Sequence, residues 1–130
     1  MIELYNLNIS ENTIKYMLEQ NREIIELTEK EIKEKEIILE TIKCTKNQIK
    51  NIISSNPSYL TTDNKEVLEL IKLLYKYNFS LLNILFDSNP YILNLEPYEI
   101  ENYINKRKKE EKIEDIIDDL ESNPYLFNEM

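Results

Sequence analysis

The tripeptide Ser-Asn-Pro occurs three times in this chain, at residues 55–57, 88–90 and 122–124, and bulky apolar residues follow it each time. The three prolines are 33 and 34 residues apart, and a fourth copy of the pattern, with Arg22 in the proline position, lies 35 residues upstream. A period of this length is typical of helical-repeat arrays, in which each unit covers the apolar face of its neighbour. The sequence therefore predicts such an array.

Apolar residues recur with the same period ahead of each proline. Ile14, Ile49, Leu82 and Ile116 are equivalent, and each is followed four residues later by another apolar residue. This spacing predicts an amphipathic helix, which must end near the asparagine because a residue before proline is disfavoured in the α conformation. Short helices are predicted over residues 11–20, 46–55, 80–88 and 113–121.

A second, longer helix is predicted in each unit from its start signals. The spacing of a capping box occurs in Thr28 with Glu31 and in Asp63 with Glu66, and Glu96 and Glu99 occupy the same register with Pro97 at the first helical position. Thr45 with Gln48 is a further capping box, ahead of a short helix. Long helices are predicted over residues 29–43, 64–77 and 97–110. Seven helices and no strand signal indicate an all-α fold, a short α-solenoid of about three and a half helix-pair repeats of 33–35 residues.

We interpret residues 1–130 as a single helical-repeat domain. Its units are a partial one at 9–26 and three further ones at 27–60, 61–93 and 94–127. Apolar residues at equivalent positions of the inner units are predicted to form the central core, namely Ile49, Ile53, Leu60, Leu70, Leu74, Leu82, Phe86 and Leu93.

The composition narrows the class of protein further. The chain has no glycine, which argues against a glycine-rich phosphate loop and leaves Asn78 as the expected left-handed end of a long helix. It has a single cysteine, Cys44, which suits a reducing compartment. No apolar stretch is long enough to span a membrane, and the first residues do not resemble a secretory signal. A cytoplasmic location is therefore expected.

The negative charge of the chain is unevenly distributed. The net charge is −9, made up of −5 in residues 1–40, +3 in residues 41–80 and −7 in residues 81–130. A chain with this balance repels polyanions as a whole, and only its middle unit is locally basic.

The repeat resembles that of the mitochondrial transcription termination factor (mTERF) family. The resemblance is carried by IKNIISSNPSYL at residues 49–60 and LNILFDSNPYIL at residues 82–93, and it extends from Ile9 to Phe127. It implies a curved α-solenoid of helix pairs with a short 3₁₀ turn in each unit, and nucleic-acid binding along a basic groove. This chain departs from the family pattern because it is acidic and lacks the glycine that often ends the long helix.

The residues offer little for catalysis. There is no histidine, the usual general base and metal ligand. Cys44 therefore has no histidine partner, and a structural role for its thiol is expected. The acidic residues of the last short helix have the i, i+3 and i+4 spacing that could hold a hard cation, but a solvated face is the simpler interpretation. We expect a protein that is not an enzyme and needs no cofactor or metal.

Three kinds of binding remain open. Charge favours a protein-interaction module, an inhibitor or adaptor whose partner is basic and itself binds nucleic acid. The resemblance implies nucleic-acid binding instead, and self-association through the N-terminal end would make the protein a homodimer rather than a monomer. The residues expected to contact a protein partner are Glu114, Asp115, Asp118, Asp119 and Glu121. The alternative nucleic-acid contacts are Lys43, Lys46, Lys50, Lys72 and Lys76.

Overall fold

The computed structural model describes residues 1–130 as eight α-helices and four 3₁₀ turns, without a strand. The α-helices are α1 (Ile2–Asn6), α2 (Glu11–Gln20), α3 (Glu29–Thr41), α4 (Lys46–Ser55), α5 (Asn64–Lys76), α6 (Leu82–Ser88), α7 (Pro97–Arg107) and α8 (Ile113–Ser122). The 3₁₀ turns follow the short helices and cover Arg22–Glu26, Pro57–Thr61, Pro90–Asn94 and Pro124–Glu129. The all-α repeat architecture predicted from the sequence is confirmed.

Each short helix ends at the asparagine of the repeat pattern. Asn21, Asn56, Asn89 and Asn123 are the C-terminal caps, with φ between −147° and −130°. These values lie outside the helical region, as expected for Asn56, Asn89 and Asn123, which precede proline, and Asn21 ends its helix in the same way although Arg22 follows it. The predicted breaks are confirmed, and the 3₁₀ turn implied by the family resemblance follows each of them.

Helices α1, α3 and α5 end without glycine. Asn8, Lys43 and Asn78 adopt left-handed conformations, with φ of 64°, 71° and 66°. In each case the next N–H bonds to the carbonyl oxygen five positions earlier at 3.1–3.3 Å, as in a Schellman motif. The prediction for Asn78 is confirmed. The predicted end of the helix at 43 is wrong, because the left-handed Lys43 terminates α3 at Thr41.

Two further local predictions differ from the structure. The last long helix ends at Arg107 rather than 110, because the Arg107 carbonyl accepts the N–H groups of both Glu110 and Glu111 in a tight turn. Asp63 caps α5 through the N–H of Lys65 at 3.4 Å and forms no capping box. The capping boxes predicted at the starts of α3 and α4 are both present.

Helix α1 is an element that the sequence analysis did not predict. Its Leu4 is fully buried and lies at the repeat position of Leu39 and Leu74, which are also fully buried. Together with the left-handed Asn8, this makes α1 the last part of a long helix packed against α3. The spacing of 35 residues between Leu4 and Leu39 was the signal that could have revealed it.

The core is one continuous cluster of 32 buried residues that runs along the array. All eight residues predicted for the central core are buried, with 0–3% of their surface exposed. Among the long helices, α1 packs on α3 and α5 on α7; among the short helices, α4 packs on both α2 and α6; and each 3₁₀ turn packs on the next. The core prediction is confirmed.

Asparagine side chains connect consecutive units. Asn56 Nδ2 donates to the Pro90 carbonyl oxygen and to Asn94 Oδ1, both at 3.0 Å. Asn89 donates in the same way to Pro124 and Asn128 at 3.0 Å. Asn21 donates to the Pro57 carbonyl oxygen and to Thr61 at 3.4 and 2.9 Å. We call these three contacts the asparagine joints, because each ties the end of one short helix to the 3₁₀ turn of the following unit.

Candidate binding surfaces

The acidic residues of α8 lie at the last unit of the array. Glu114, Asp115 and Asp118 are exposed, as expected. Asp119 is also exposed, but its Oδ2 lies 2.9 Å from Arg107 Nη1. Glu121 is half-buried, and its Oε2 accepts a hydrogen bond from the Ser80 hydroxyl at 3.1 Å. Three of the five residues are therefore free carboxylates, a smaller set than the sequence predicts.

The contact between Arg107 and Asp119 takes the place of apolar packing. Arg107 lies at the repeat position of the fully buried Leu74, and Asp119 lies at that of Leu85, which is 5% exposed. Inside the array both positions are apolar and buried, and in the last unit they carry opposite charges instead. A polar outer face of this kind is what a terminal repeat needs in water.

A second acidic surface was missed by the sequence analysis. It is a hollow of about 460 Å³ between the first 3₁₀ turn, α3 and the start of α5. Its acidic lining consists of Glu23, Glu26, Glu31, Glu34 and Asp63. We call it the acidic hollow.

The one cation of the acidic hollow is Lys35, which is almost fully buried at 3% exposure. Its ammonium group donates to the Thr62 carbonyl oxygen and to Asn64 Oδ1, and lies 5.7 Å from the centre of the Tyr59 ring. Burial lowers the pKa of Lys35. Lys35 occupies the repeat position of Leu70. A charged residue at this core position was the feature of the sequence that could have revealed the buried lysine. The ammonium group of Lys35 donates its hydrogen bonds to neutral groups and forms no ion pair with the surrounding carboxylates.

The five lysines proposed as nucleic-acid contacts lie in two layers. Lys46 and Lys50 are one turn apart on α4, with Lys43 just before it, whereas Lys72 and Lys76 are one turn apart on α5. Helix α4 packs mainly on α6 and the 3₁₀ turns, and α5 packs on α7. All are exposed except the half-buried Lys50, and none forms an ion pair. The structure therefore places three of the five lysines at or just before α4 and the other two on α5.

A buried carboxyl group faces a groove between α1, α3 and α4. Glu36 is 3% exposed, and its Oε2 has no hydrogen-bond partner. It takes the repeat position of Ile71 and Ile104. Burial, followed by a hydrogen bond with Glu3, raises its pKa from 4.5 to about 7. The other charged residues lining this groove of about 440 Å³ are Glu3, Lys33, Glu40 and Lys46.

We expect stability to fall as the pH rises from about 5 to about 8, because the folded protein holds the Glu36 proton up to a higher pH than the unfolded chain does. Glu36→Gln should remove this slope and raise the free energy of unfolding at pH 8 by about 1–2 kcal/mol, after allowance for solvent screening. Urea unfolding across this pH range measures the effect. The control is Glu69→Gln, at an exposed site away from the groove. Parallel slopes for wild type and Glu36→Gln would contradict the assignment.

The structure offers little reactive chemistry on these surfaces. Cys44 is 8% exposed, and burial raises its pKa to about 12, so it is a protonated thiol at neutral pH. No group of three or more His, Cys, Asp or Glu side chains is arranged to hold a metal ion. None of the helices combines the length and apolar character that crossing a membrane requires.

Stacked helix pairs, recurring 3₁₀ turns and a core that runs along the array define an α-solenoid, a class of protein with extended surfaces between its units. The comparisons with known proteins give the family. The mTERF family model matches residues 2–96, well over half of the chain, and this protein belongs to the mTERF family. Among curated proteins, none matches the chain.

Proposed function

We propose that this mTERF-family protein is an interaction module without catalytic activity, acting as an inhibitor or adaptor that binds a basic protein partner. The observation that supports the proposal is the unpaired negative charge. Of 25 carboxylate side chains, only those of Glu29, Glu111 and Asp119 form ion pairs within the protein. A basic surface would find complementary charge here and would be steered toward it during encounter.

The acidic hollow and the face of α8 would play different parts in such a complex. The hollow is concave and can surround a lysine or arginine side chain with several carboxylates. Arginine is well suited to such a site because its planar group donates paired hydrogen bonds to carboxylates. The face of α8 is a helix surface, suited to a broader electrostatic contact. The buried, protonated Cys44 agrees with a reducing compartment such as the cytoplasm.

The proposal is tested with a lysine- and arginine-rich peptide as the probe. Glu23→Gln, Glu26→Gln and Glu34→Gln together should weaken binding by about tenfold or more, because each removes a charge from the hollow. A second triple variant, Glu114→Gln with Asp115→Asn and Asp118→Asn, tests α8. Fluorescence anisotropy at several salt concentrations gives the affinities.

The matched control changes the net charge equally at exposed sites outside both surfaces, through Glu66→Gln, Glu69→Gln and Glu101→Gln. This control should bind within about twofold of wild type if position matters more than total charge. If all three triple variants lost the same affinity for the peptide, the effect would come from net charge alone, and this result would contradict a defined site. The absence of measurable binding at low salt would contradict the proposal itself.

A second candidate is nucleic-acid binding, the function that the family resemblance implies. The specific observation in its favour is that the lysines of the +3 middle segment have no intramolecular ion pair and are free to contact phosphates. Lys43, Lys46 and Lys50 form the denser of their two groups.

If this candidate is right, Lys43→Gln, Lys46→Gln and Lys50→Gln together should lower the salt slope of duplex binding by about 0.9 for each phosphate that the variant can no longer neutralise. Gel shifts at stated salt concentrations measure the slope. Lys106→Gln, Lys108→Gln and Lys109→Gln form the control, since they remove the same charge from another exposed site. No shift at low salt, or equal effects of the two triple variants, would exclude the middle unit as the binding site.

A further inference from the structure

The N-terminal unit exposes a position that is buried in every other unit. Ile25 is 71% exposed, whereas its equivalents Leu60, Leu93 and Phe127 are 1–2% exposed. The preceding unit covers this position wherever such a unit is present in the array. Ile25 therefore marks a repeat interface without its neighbour, which we call the open face.

The open face also carries the acceptor half of an asparagine joint. In the three joints of the array, asparagine donates to the carbonyl oxygen of the proline position and, four residues later, to Thr61, Asn94 or Asn128. In the first unit the proline position is Arg22, and the residue four positions later is Glu26, whose carboxylate can accept the same bond. Beside them lies a hollow of about 410 Å³ lined by Leu18, Glu19, Arg22 and Ile25.

The last unit carries the matching donor half. Asn123 has the same repeat position as the donors of the three joints, and it is exposed, whereas Asn56 and Asn89 are each 1% exposed. Leu126 is half-buried at a position where its equivalents Tyr59 and Ile92 are fully buried. An apolar residue and an asparagine donor thus face outward from this end.

Charged substitutions at the two ends have opposite sign. Arg22 replaces the proline of the other units, and Asp119, which pairs with Arg107 but keeps 47% of its side chain exposed, replaces the apolar Leu85. Asp119 lies one helical turn before Asn123, on the side of the donor. A unit stacked on the open face as a preceding repeat would bring the exposed part of the Asp119 carboxylate, beside Arg107, toward Arg22.

We propose that a second copy of this chain covers the open face, with the last unit of one copy stacked head-to-tail on the first unit of the next. Asn123 donates to the Arg22 carbonyl oxygen and to Glu26, and Leu126 packs toward Ile25. Such a contact is heterologous, because it joins two different surfaces. A dimer therefore keeps one free donor half and one free acceptor half, and the assembly grows as an open chain. The net charge of −9 opposes growth at low salt, so association increases with salt and concentration.

The test follows the molar mass of the full chain by sedimentation equilibrium over a wide range of concentration, at low and high salt. Wild type should grow beyond a dimer at high concentration. Ile25→Glu should block the acceptor half, and Asn123→Arg should block the donor half by placing a second cation near Arg22. Each variant alone should stay monomeric. Both sites are exposed, so folding is preserved.

Mixing the two variants gives the decisive result. The Ile25→Glu copy keeps its donor half and the Asn123→Arg copy keeps its acceptor half, so the mixture should form heterodimers and nothing larger. Ile84→Glu, at a residue 51% exposed on α6, should associate like wild type. A monomer at every concentration, a mixture that stays monomeric, or association blocked by Ile25→Glu alone, as in a two-fold contact between N-terminal ends, would each overturn the proposal. Glu26 belongs to both surfaces, so binding of the basic peptide is measured on the Asn123→Arg copy, which cannot stack through its donor half, and the two proposals then fail independently.

Discussion

Replacing Phe86 with alanine should lower the free energy of unfolding by about 3–5 kcal/mol, the largest loss that we expect from a single change. The Phe86 side chain is fully buried at the repeat position of Ile53, also fully buried, and of the half-buried Leu18. Alanine removes most of this apolar surface and leaves a cavity, because the helices on both sides are fixed by their own neighbours. Denaturant unfolding followed by circular dichroism measures the loss.

Ile84→Ala is the matched control for Phe86→Ala, because it removes apolar atoms from the same helix at a site that is 51% exposed. This control should change the free energy of unfolding by no more than about 0.5 kcal/mol. Equal stability of Phe86→Ala and wild type would show that the core does not pass through α6.

Replacing Asn56 with alanine should cost about 2–3 kcal/mol, although it removes little apolar surface. Asn56 is 1% exposed, and its amide makes three hydrogen bonds of 3.0–3.1 Å, one to the Pro90 carbonyl oxygen and two to the Asn94 side chain. Alanine removes all three hydrogen bonds, each with a net contribution of about 1 kcal/mol, and leaves the half-buried Pro90 carbonyl oxygen without this donor, whereas the exposed Asn94 can bond to water. Thermal and denaturant unfolding both report the change.

Asn123→Ala removes the same side chain from the same repeat position at a site where it is exposed. It should change the stability of the isolated copy by about 0.5 kcal/mol or less, measured at low concentration. A similar cost for the two variants would mean that asparagine acts only through the local break before proline. The joint would then contribute nothing.

The sequence was a good guide to features that depend on local rules. The helix breaks followed from the asparagine before each proline, and the core followed from residues such as Ile53 and Phe86 at equivalent positions. The asparagine joints could not be predicted in this way. Each connects residues that are 34–40 positions apart, and the hydrogen bond depends on how two units stack.

The candidate surfaces were predicted only in part, for a related reason. Lys35 and Glu36 stand at the positions of Leu70 and Ile71, and this contrast was visible in the alignment of the units. The contrast showed that Lys35 and Glu36 are charged residues at core positions. It did not show that Lys35 would donate hydrogen bonds to neutral oxygens, or that Oε2 of Glu36 would have no hydrogen-bond partner. The contact of Asp119 with Arg107 likewise required the packing of α7 against α8.

The asparagine joints have a consequence for how this protein can change during evolution. In every joint one acceptor is a main-chain carbonyl oxygen, a group that any amino acid provides. Substitutions at the outward side chains of the turns therefore leave that part of the linkage intact. The curvature of the array and the chemistry of its surface can diversify separately, so new binding preferences can arise on an unchanged scaffold.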